Sequence, residues 1–480
     1  MTDDLAVLDA TAQAELVRGG QLSPVELVDA AINRIEKLDP ELNAVIHQRF
    51  DRARDEAASA ALPDGPFRGV PMLFKDLRCA VEGEPYHEGM RFLKDNDYRP
   101  RYTDNLVHRF RRAGFVSCGR TNTPELGLVP TTEPAAYGPT PNPWDPSRTP
   151  GGSSGGSAVT VATGMVPVAH ATDGGGSIRI PASCNGLVGL KPSRGRTSLG
   201  PRWGQLTSIL NCELVLARSV RDTARTLDAL WEPFPGDPVI APQPVRPYAD
   251  EIGADPGRLR VGILTANLIG TGDVHPDCVA AAEDTGRLLE SLGHHVEPSY
   301  PDAFADPVTL MPFTTIWTTD CAHNLDDFGH LVGKPVTEAD VEPLTWALAE
   351  AGRAVTGVQF REAVRVMEEL GRRSAQWWDG YDLLLTPTLG EPPLPLSTLD
   401  PEPGNPMHGY IRAAEFVPFT VQFNVSGQPA ISLPLSWNAD DLPIGSQLVA
   451  PYGREDVLLR VAAQIEQARP WAHRRPPVHA

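Results

Sequence analysis

At 480 residues, with 41% apolar and 21% charged side chains, the chain has the composition of a globular protein with a substantial core. Its length allows several domains or one large α/β unit. The formal net charge of −19 argues against nucleic acid as a partner, because phosphate binding needs a basic face that releases counterions.

The opening "MTDDLAVLDATAQAELV" has neither the basic stretch nor the apolar run of a signal peptide. No later run approaches 18 uncharged apolar residues, so no membrane-spanning helix is expected. "SPVEL" reads as a capping box, with Ser23 at the N-cap, Pro24 at the first helical position and Glu26 at the third. Leu27, Val28, Ala31, Ile32, Ile35 and Leu38 follow at helical spacing and give one apolar stripe. This segment is expected to lie in an outer layer of helices.

From Gly69 the pattern changes. "GVPMLF" reads as a buried strand ending at Lys75, "DNLVHRFRRAGF" as a helix stopped by Gly114, and "VSCGRTN" as a further strand. Strands alternating with helices predict an α/β fold, a sheet covered by helices on both faces. The six cysteines (Cys79, Cys118, Cys184, Cys212, Cys278 and Cys321) include no C-x-x-C pair. They suggest neither a zinc site nor a disulfide framework, and a reducing cytoplasm is the expected location. A proline-rich stretch, Glu232 to Gly257, then crosses the surface. A strand–helix–strand unit resumes at once with "LRVGIL" (259–264), a helix around Cys278–Leu292 and "HHVEP", so the stretch reads as a long loop within one domain.

Four readings compete for "GGSSGGSA", residues 151–158. A flexible linker would stay polar, but this segment runs into the apolar "VTVATGMVPVAHA". A Walker loop needs a lysine followed by a serine or threonine after its last glycine, and there is no such pair. Gly151 to Gly155 satisfies the G-x-S-x-G pattern of a nucleophile elbow, yet the preceding "TPNPWDPSRTP" is a proline-broken loop rather than a strand. The fourth reading joins it to "ATDGGGSIRIPAS" (171–183), in which three glycines precede Ser177. Glycines let backbone N–H groups approach a substrate, and consecutive N–H groups form the nest that an oxyanion needs.

The paired serine motifs, with Ser177 lying 24 positions after Ser153, and the following "GLVGLKPSRGR" resemble the amidase signature family. "GVPMLFKDL" and "GRTNTPELG" upstream, and "YDLLLTPT", "FNVSGQPAISLP" and "LPIGSQLVAPYGRED" downstream, extend the resemblance over nearly the whole chain. Within the family, "DATAQAELV", "TTEP", "GRTNTPE" and "FNVSGQPAISLP" are most similar to the branch that hydrolyses 6-aminohexanoate cyclic dimer.

The resemblance implies a central mixed, twisted β-sheet covered on both faces by α-helices. It implies a single domain over 1–480: an N-terminal helical layer (1–65), a catalytic core (66–230), the proline-rich loop (231–257) and a C-terminal half (258–480) completing the sheet and substrate pocket. It assigns Ser177 as nucleophile, Ser153 as the bridging serine entered through a cis peptide from Gly152, and Lys75 as base. The amides of Gly174, Gly175, Gly176 and Ser177 correspond to the oxyanion hole. Asp173 and Arg179 would brace the nucleophile loop, and Ser154 would hydrogen-bond the lysine. A third glycine at Gly174, where many members carry a side chain, would leave more room over the oxyanion hole.

The chemistry is intelligible on its own terms. A serine hydroxyl is a weak nucleophile until a base takes its proton. A lysine serves as that base only when neutral. Bringing its pKa from about 10.4 to about 7 requires about 4 kcal/mol of differential stabilisation, which burial supplies. Asp76 would oppose this if it pointed at Lys75, so it is expected to face elsewhere, and His170 is expected to be a packed, hydrogen-bonded residue. No metal or cofactor is implied. The expected partner is a small-molecule amide or carbamate, with no nucleic acid and no membrane, and a homodimer is left open. A transamidase subunit and a catalytically silent binding homologue remain as alternatives to a stand-alone amidase.

Overall fold

The computed structural model describes residues 2–206, 208–268, 272–306, 308 and 310–480. Eleven strands are described: β1 Val45–Gln48, β2 Pro71–Lys75, β3 Val116–Thr121, β4 Val168–Asp173, β5 Val188–Lys191, β6 Cys212–Ala217, β7 Arg260–Ile263, β8 His295–Pro298, β9 Leu383–Pro387, β10 Ala430–Trp437 and β11 Pro443–Val449. They form a mixed sheet in the order β1-β3-β2-β4-β6-β5-β10-β11-β9-β7-β8. Pairing is parallel across β3-β2-β4 and across β9-β7-β8, and antiparallel elsewhere. Helices flank the sheet, giving the α/β architecture expected. Strands before and after residues 231–257 belong to this one sheet. Within that stretch a short 3-10 turn, Tyr248–Glu251, buries Tyr248.

The local signals work as their chemistry requires. The helix Pro24–Leu42 opens on the complete capping box, in which Ser23 N donates to Glu26 Oε2 (2.7 Å) and Glu26 N donates to Ser23 Oγ (3.3 Å). All six residues of its apolar stripe are buried, and all but Leu27 pack into the core that β2 and β3 share. Each buried leucine, valine or isoleucine among them is worth about 1.5–3 kcal/mol, and Ala31 less. Gly114, at φ +91°, follows the helix Asn105–Arg112 and ends it where expected. β2 and β4 are buried at every residue, which is why they lack the alternation of a half-exposed strand.

This arrangement positions the site. β2 and β4 run parallel and adjacent, with Met72 opposite Val168, so their carboxyl ends meet on one edge of the sheet. Lys75 ends β2, and Thr172 and Asp173 end β4. In open α/β sheets, ligands gather at such an edge. Among the described residues, no helix is long and apolar enough to cross a membrane.

Candidate active site

Lys75 is fully buried. Its Nζ donates to Ser153 Oγ at 2.6 Å and to Thr172 Oγ1 at 2.8 Å. Burial pushes its pKa well below the ordinary 10.5, and the charges of Asp173, Glu213 and Glu88 oppose that shift without cancelling it. Asp76 faces away, accepting the backbone N–H of His87 at 3.2 Å and lying 3.7 Å from His47 Nε2. The neighbouring carboxylate is thereby kept off the amine.

Ser153 is reached through a loop, not a strand, and the peptide Gly152–Ser153 is cis. The helix Gly155–Ala162 begins just after it. Ser154 differs from expectation: its Oγ bonds the backbone of Thr172, at 3.3 Å to both O and N, and the lysine's second partner is the Thr172 hydroxyl. Ser154 thus ties the serine loop to the end of β4 and touches Lys75 only through Thr172.

Ser177 lies between β4 and the helix Arg179–Asn185. It is 7% exposed, and among the described residues its hydroxyl makes no hydrogen bond. Asp173 and Arg179 brace its loop as a two-pronged ion pair, Arg179 Nη2 to Oδ1 at 2.9 Å and Nε to Oδ2 at 3.0 Å, with neither side chain exposed. Burial alone would raise the Asp173 pKa. Arg179 overrides it, and the carboxyl is held down at about 2. The guanidinium also donates to Thr420 O, Gln447 Oε1 and Asn424 Oδ1 at 2.7–2.9 Å, locking the loop to the C-terminal half. Asn424 and Gln447 sit inside "FNVSGQP" and "GSQLVAP", segments that point to the family but carry no mark of this task.

Gly176 is a correction to the oxyanion-hole set. Its amide donates to Asp173 Oδ1 at 2.8 Å and is therefore already committed. Among the described residues, the amides of Gly174, Gly175 and Ser177 have no acceptor and remain available for a developing oxyanion. Gly174 does not open extra room either. A Cβ there would stand 2.9 Å from Asn211 Oδ1 and 3.1 Å from the Trp317 ring, so those side chains already fill the space.

Two cavities meet at Ser177. One, of about 120 Å³, is apolar, walled by Leu128, Ile180, Phe313, Trp317, Val417 and Val421. The other, of about 40 Å³, is polar and contains Arg78, Glu88, Ser153, Thr172, Asn211 and Asp320. Ser177, Gly127, Leu128 and Trp317 line both. Arg78 and Glu88 both have left-handed backbone, φ +63° and +50°, a conformation that costs a non-glycine residue about 1–2 kcal/mol.

Among the described residues, two clusters have ligand-type atoms within 4.8 Å of one another: His47, Asp76 and His87, and Cys79, His170 and Glu213. In the second, His170 Nε2 lies 3.0 Å from Glu213 Oε2 and the ring is fully buried. His170 is thus the packed, hydrogen-bonded residue expected.

The Asp173–Arg179 pair yields a stability prediction. Asp173→Ala would leave a fully buried guanidinium without its counter-charge, which costs about 3–5 kcal/mol. A fall of that size in the denaturation free energy is expected in urea titrations, with the slope unchanged. A change below 1 kcal/mol would show that the pair does not hold the loop.

The family profile described as Amidase matches residues 26–459. The chain is 45% identical to a 6-aminohexanoate-cyclic-dimer hydrolase of Paenarthrobacter ureafaciens over 98% of this chain and 96% of the relative. A solved structure of 6-aminohexanoate cyclic dimer hydrolase complexed with substrate superposes with TM-score 0.95 at 44% identity, over 99% of this chain and 100% of that one. A bacterial aryl acylamidase superposes with TM-score 0.87 at 27% identity, covering 97% of each chain.

Proposed function

The chain belongs to the amidase signature family, and from that premise we propose that Ser177 is the nucleophile, Ser153 the bridging serine and Lys75 the base of its amide hydrolysis. The protein is an amidase, a hydrolase of carbon–nitrogen bonds other than peptide bonds. The observation that carries the residue assignment is the 2.6 Å contact between the buried Lys75 Nζ and Ser153 Oγ, beside a Ser177 that opens on both cavities.

In the first stage, Ser177 Oγ attacks the amide carbon while its proton passes to Ser153 and the Ser153 proton passes to neutral Lys75. The amides of Gly174, Gly175 and Ser177 receive the oxyanion. The C–N bond breaks as the nitrogen takes a proton back through Ser153, and the amine leaves. Water then attacks the acyl-enzyme by the same relay, releasing the carboxylic acid and restoring Ser177. Because Ser153 and Thr172 line the polar cavity, the departing amine belongs on that side. The acyl group then occupies the apolar cavity.

The substrate reading follows the relatives and the cavity walls together: aminohexanoate-type amides first, with aryl amides and carbamates (urethanes) as further classes. Product formation from such a panel, read by mass spectrometry, is expected to be fastest for the aminohexanoate cyclic amide. Turnover confined to aryl amides or carbamates would overturn that ranking. A single domain over 1–480 fits the continuous sheet. Six unpaired, buried cysteines fit a cytoplasmic location. A homodimer is the assembly we propose to test by sedimentation.

A further inference from the structure

The turn that presses on Ser153 carries a buried acid that the proposed relay does not use. Glu125 opens the 3-10 turn Glu125–Gly127 and is 3% exposed. Leu126, Gly127 and Leu128 line the polar cavity, and the last two line the apolar one as well. The backbone passes close to the bridging serine: a Cβ on Gly127 would stand 3.0 Å from Ser153 Oγ. Leu126 is left-handed, φ +51°, and such a residue keeps its conformation only where its surroundings impose it. One hold on it is its own N–H, which donates to Glu88 O at 2.8 Å.

The Glu125 side chain supplies another. Its Oε2 accepts the backbone N–H of Glu342 at 2.7 Å. Glu342 is the N-cap of the helix Pro343–Arg353 and makes no side-chain cap bond of its own, so Glu125 satisfies an amide at the start of that helix. Leu344 and Leu348 of the helix share an apolar cluster with Leu126 and with Cys321 and Leu325 of the helix Leu310–Val332. The two carboxyls crowd one another. Burial, then the charge of Glu342, pushes the Glu125 pKa up to about 8, against the pull of the Thr345 hydroxyl and the Glu342 N–H. Burial raises Glu342 too, and Asp400 adds to the rise, while its Oε1 accepts Ala135 N–H at 2.8 Å. Arg91 lowers both acids, yet among the described residues it is ion-paired to neither. The Cys321 thiol, on the facing helix, is raised in part by Glu125. Near neutral pH the contact between Glu125 and the helix therefore carries little repulsion, and ionisation sets two like charges against each other across it.

We propose that Glu125 is a positioning residue, whose carboxyl ties the turn 125–128 to the start of the helix Pro343–Arg353 and so holds the bridging Ser153 and the wall between the two cavities in register. Ionisation, which sets Glu125 against Glu342, slackens the tie. The inference rests on the relay reading of Ser153 and Ser177 and adds to it the element that keeps the relay aligned. Glu125 touches no substrate and moves no proton in the reaction.

Steady-state kinetics of the full-length protein test it, on the amide of the substrate panel that the wild type turns over fastest. Glu125→Ala removes the tie and is expected to lower kcat near neutral pH by on the order of tenfold to a hundredfold, as a displaced relay atom does, with KM moving less. Glu125→Gln keeps an oxygen for the Glu342 N–H and cannot ionise, so it should restore kcat to within about threefold of wild type. Between pH about 7 and pH about 9.5 its kcat relative to wild type should climb severalfold, and that of Glu342→Gln, which removes the opposing charge, should climb likewise. Taking the ratio cancels the titration of Lys75, which all these proteins share. If Glu125→Ala fails to fold, the two glutamine variants decide the matter. A kcat in Glu125→Ala within about twofold of wild type, a Glu125→Gln as impaired as the alanine variant, or ratios flat across that pH range would overturn the inference while leaving the amidase reading intact. Turnover that survives in Ser177→Ala would overturn the amidase reading itself.

Discussion

Ser177→Ala is expected to lower kcat on any amide substrate by on the order of 10⁴–10⁶-fold, with little change in stability. The hydroxyl makes no hydrogen bond among the described residues and lies at the junction of the two cavities. Its removal therefore breaks no contact and opens little space, and the denaturation midpoint should hardly move. What disappears is the atom that forms the acyl-enzyme. Substrate binding should persist, since the cavity walls are untouched, and calorimetric titration of the variant would detect it. A loss smaller than about a hundredfold would mean that another group attacks the carbonyl, and Ser153 would be the next candidate.

Lys75→Met carries the second large effect, and it moves activity and stability in different ways. Without the amine no group takes the proton from Ser153, so a loss of similar order is expected. In the wild type, the lowered pKa of Lys75 means that activity rises with pH as the amine loses its proton and levels off well below the ordinary 10.5. An activity that still rises through the ordinary 10.5, or that falls as pH rises from acid, would contradict a buried neutral lysine as the base.

The stability signature has a definite sign. Between the lowered folded pKa and the ordinary 10.5, the unfolded chain binds a proton that the folded one does not. Wild-type stability therefore rises with pH across that window. The variant lacks this contribution. Its stability relative to wild type should be greatest below the folded pKa and should shrink as pH approaches 10.5. Parallel urea titrations across pH would show it, and a difference that stays flat would mean that Lys75 is charged in the folded protein.

What the sequence makes legible here depends on the range of the interaction concerned. The capping box at Ser23 and the stop at Gly114 are local, and each is written within a few residues of where it acts. Lys75 and the two serines were legible because they lie in motifs whose spacing is distinctive, and the buried run "PMLF" placed the lysine at a strand end. The identity of the lysine's second partner was not legible. Ser154 and Thr172 both carry hydroxyls near the site, and only the alignment of β2 beside β4 brings the Thr172 side chain to Nζ. The commitment of the Gly176 amide to Asp173 is likewise a matter of loop geometry that glycine content does not reveal. Arg78 and Asp320 lie 242 positions apart in the chain. Neither belongs to a periodic or spaced motif, so their shared cavity exists only in the folded molecule.

The same contrast explains Gly174. A missing side chain reads as space when only the sequence is considered. In the structure, Asn211 and Trp317 come from distant segments and occupy that space. Cores and sites close-pack around whatever side chains are present, so the size of an acyl pocket is set by the walls near Phe313, Trp317 and Val417 rather than by one glycine.

The central claim is that the acyl group is carried on Ser177, and trapping it tests this most directly. Enzyme mixed with excess amide substrate would be quenched in acid during turnover, digested and mapped by mass spectrometry. The expected result is an acyl mass increment on the peptide containing Ser177, absent from the peptide containing Ser153 and absent altogether in Ser177→Ala. An increment on Ser153 would contradict the account.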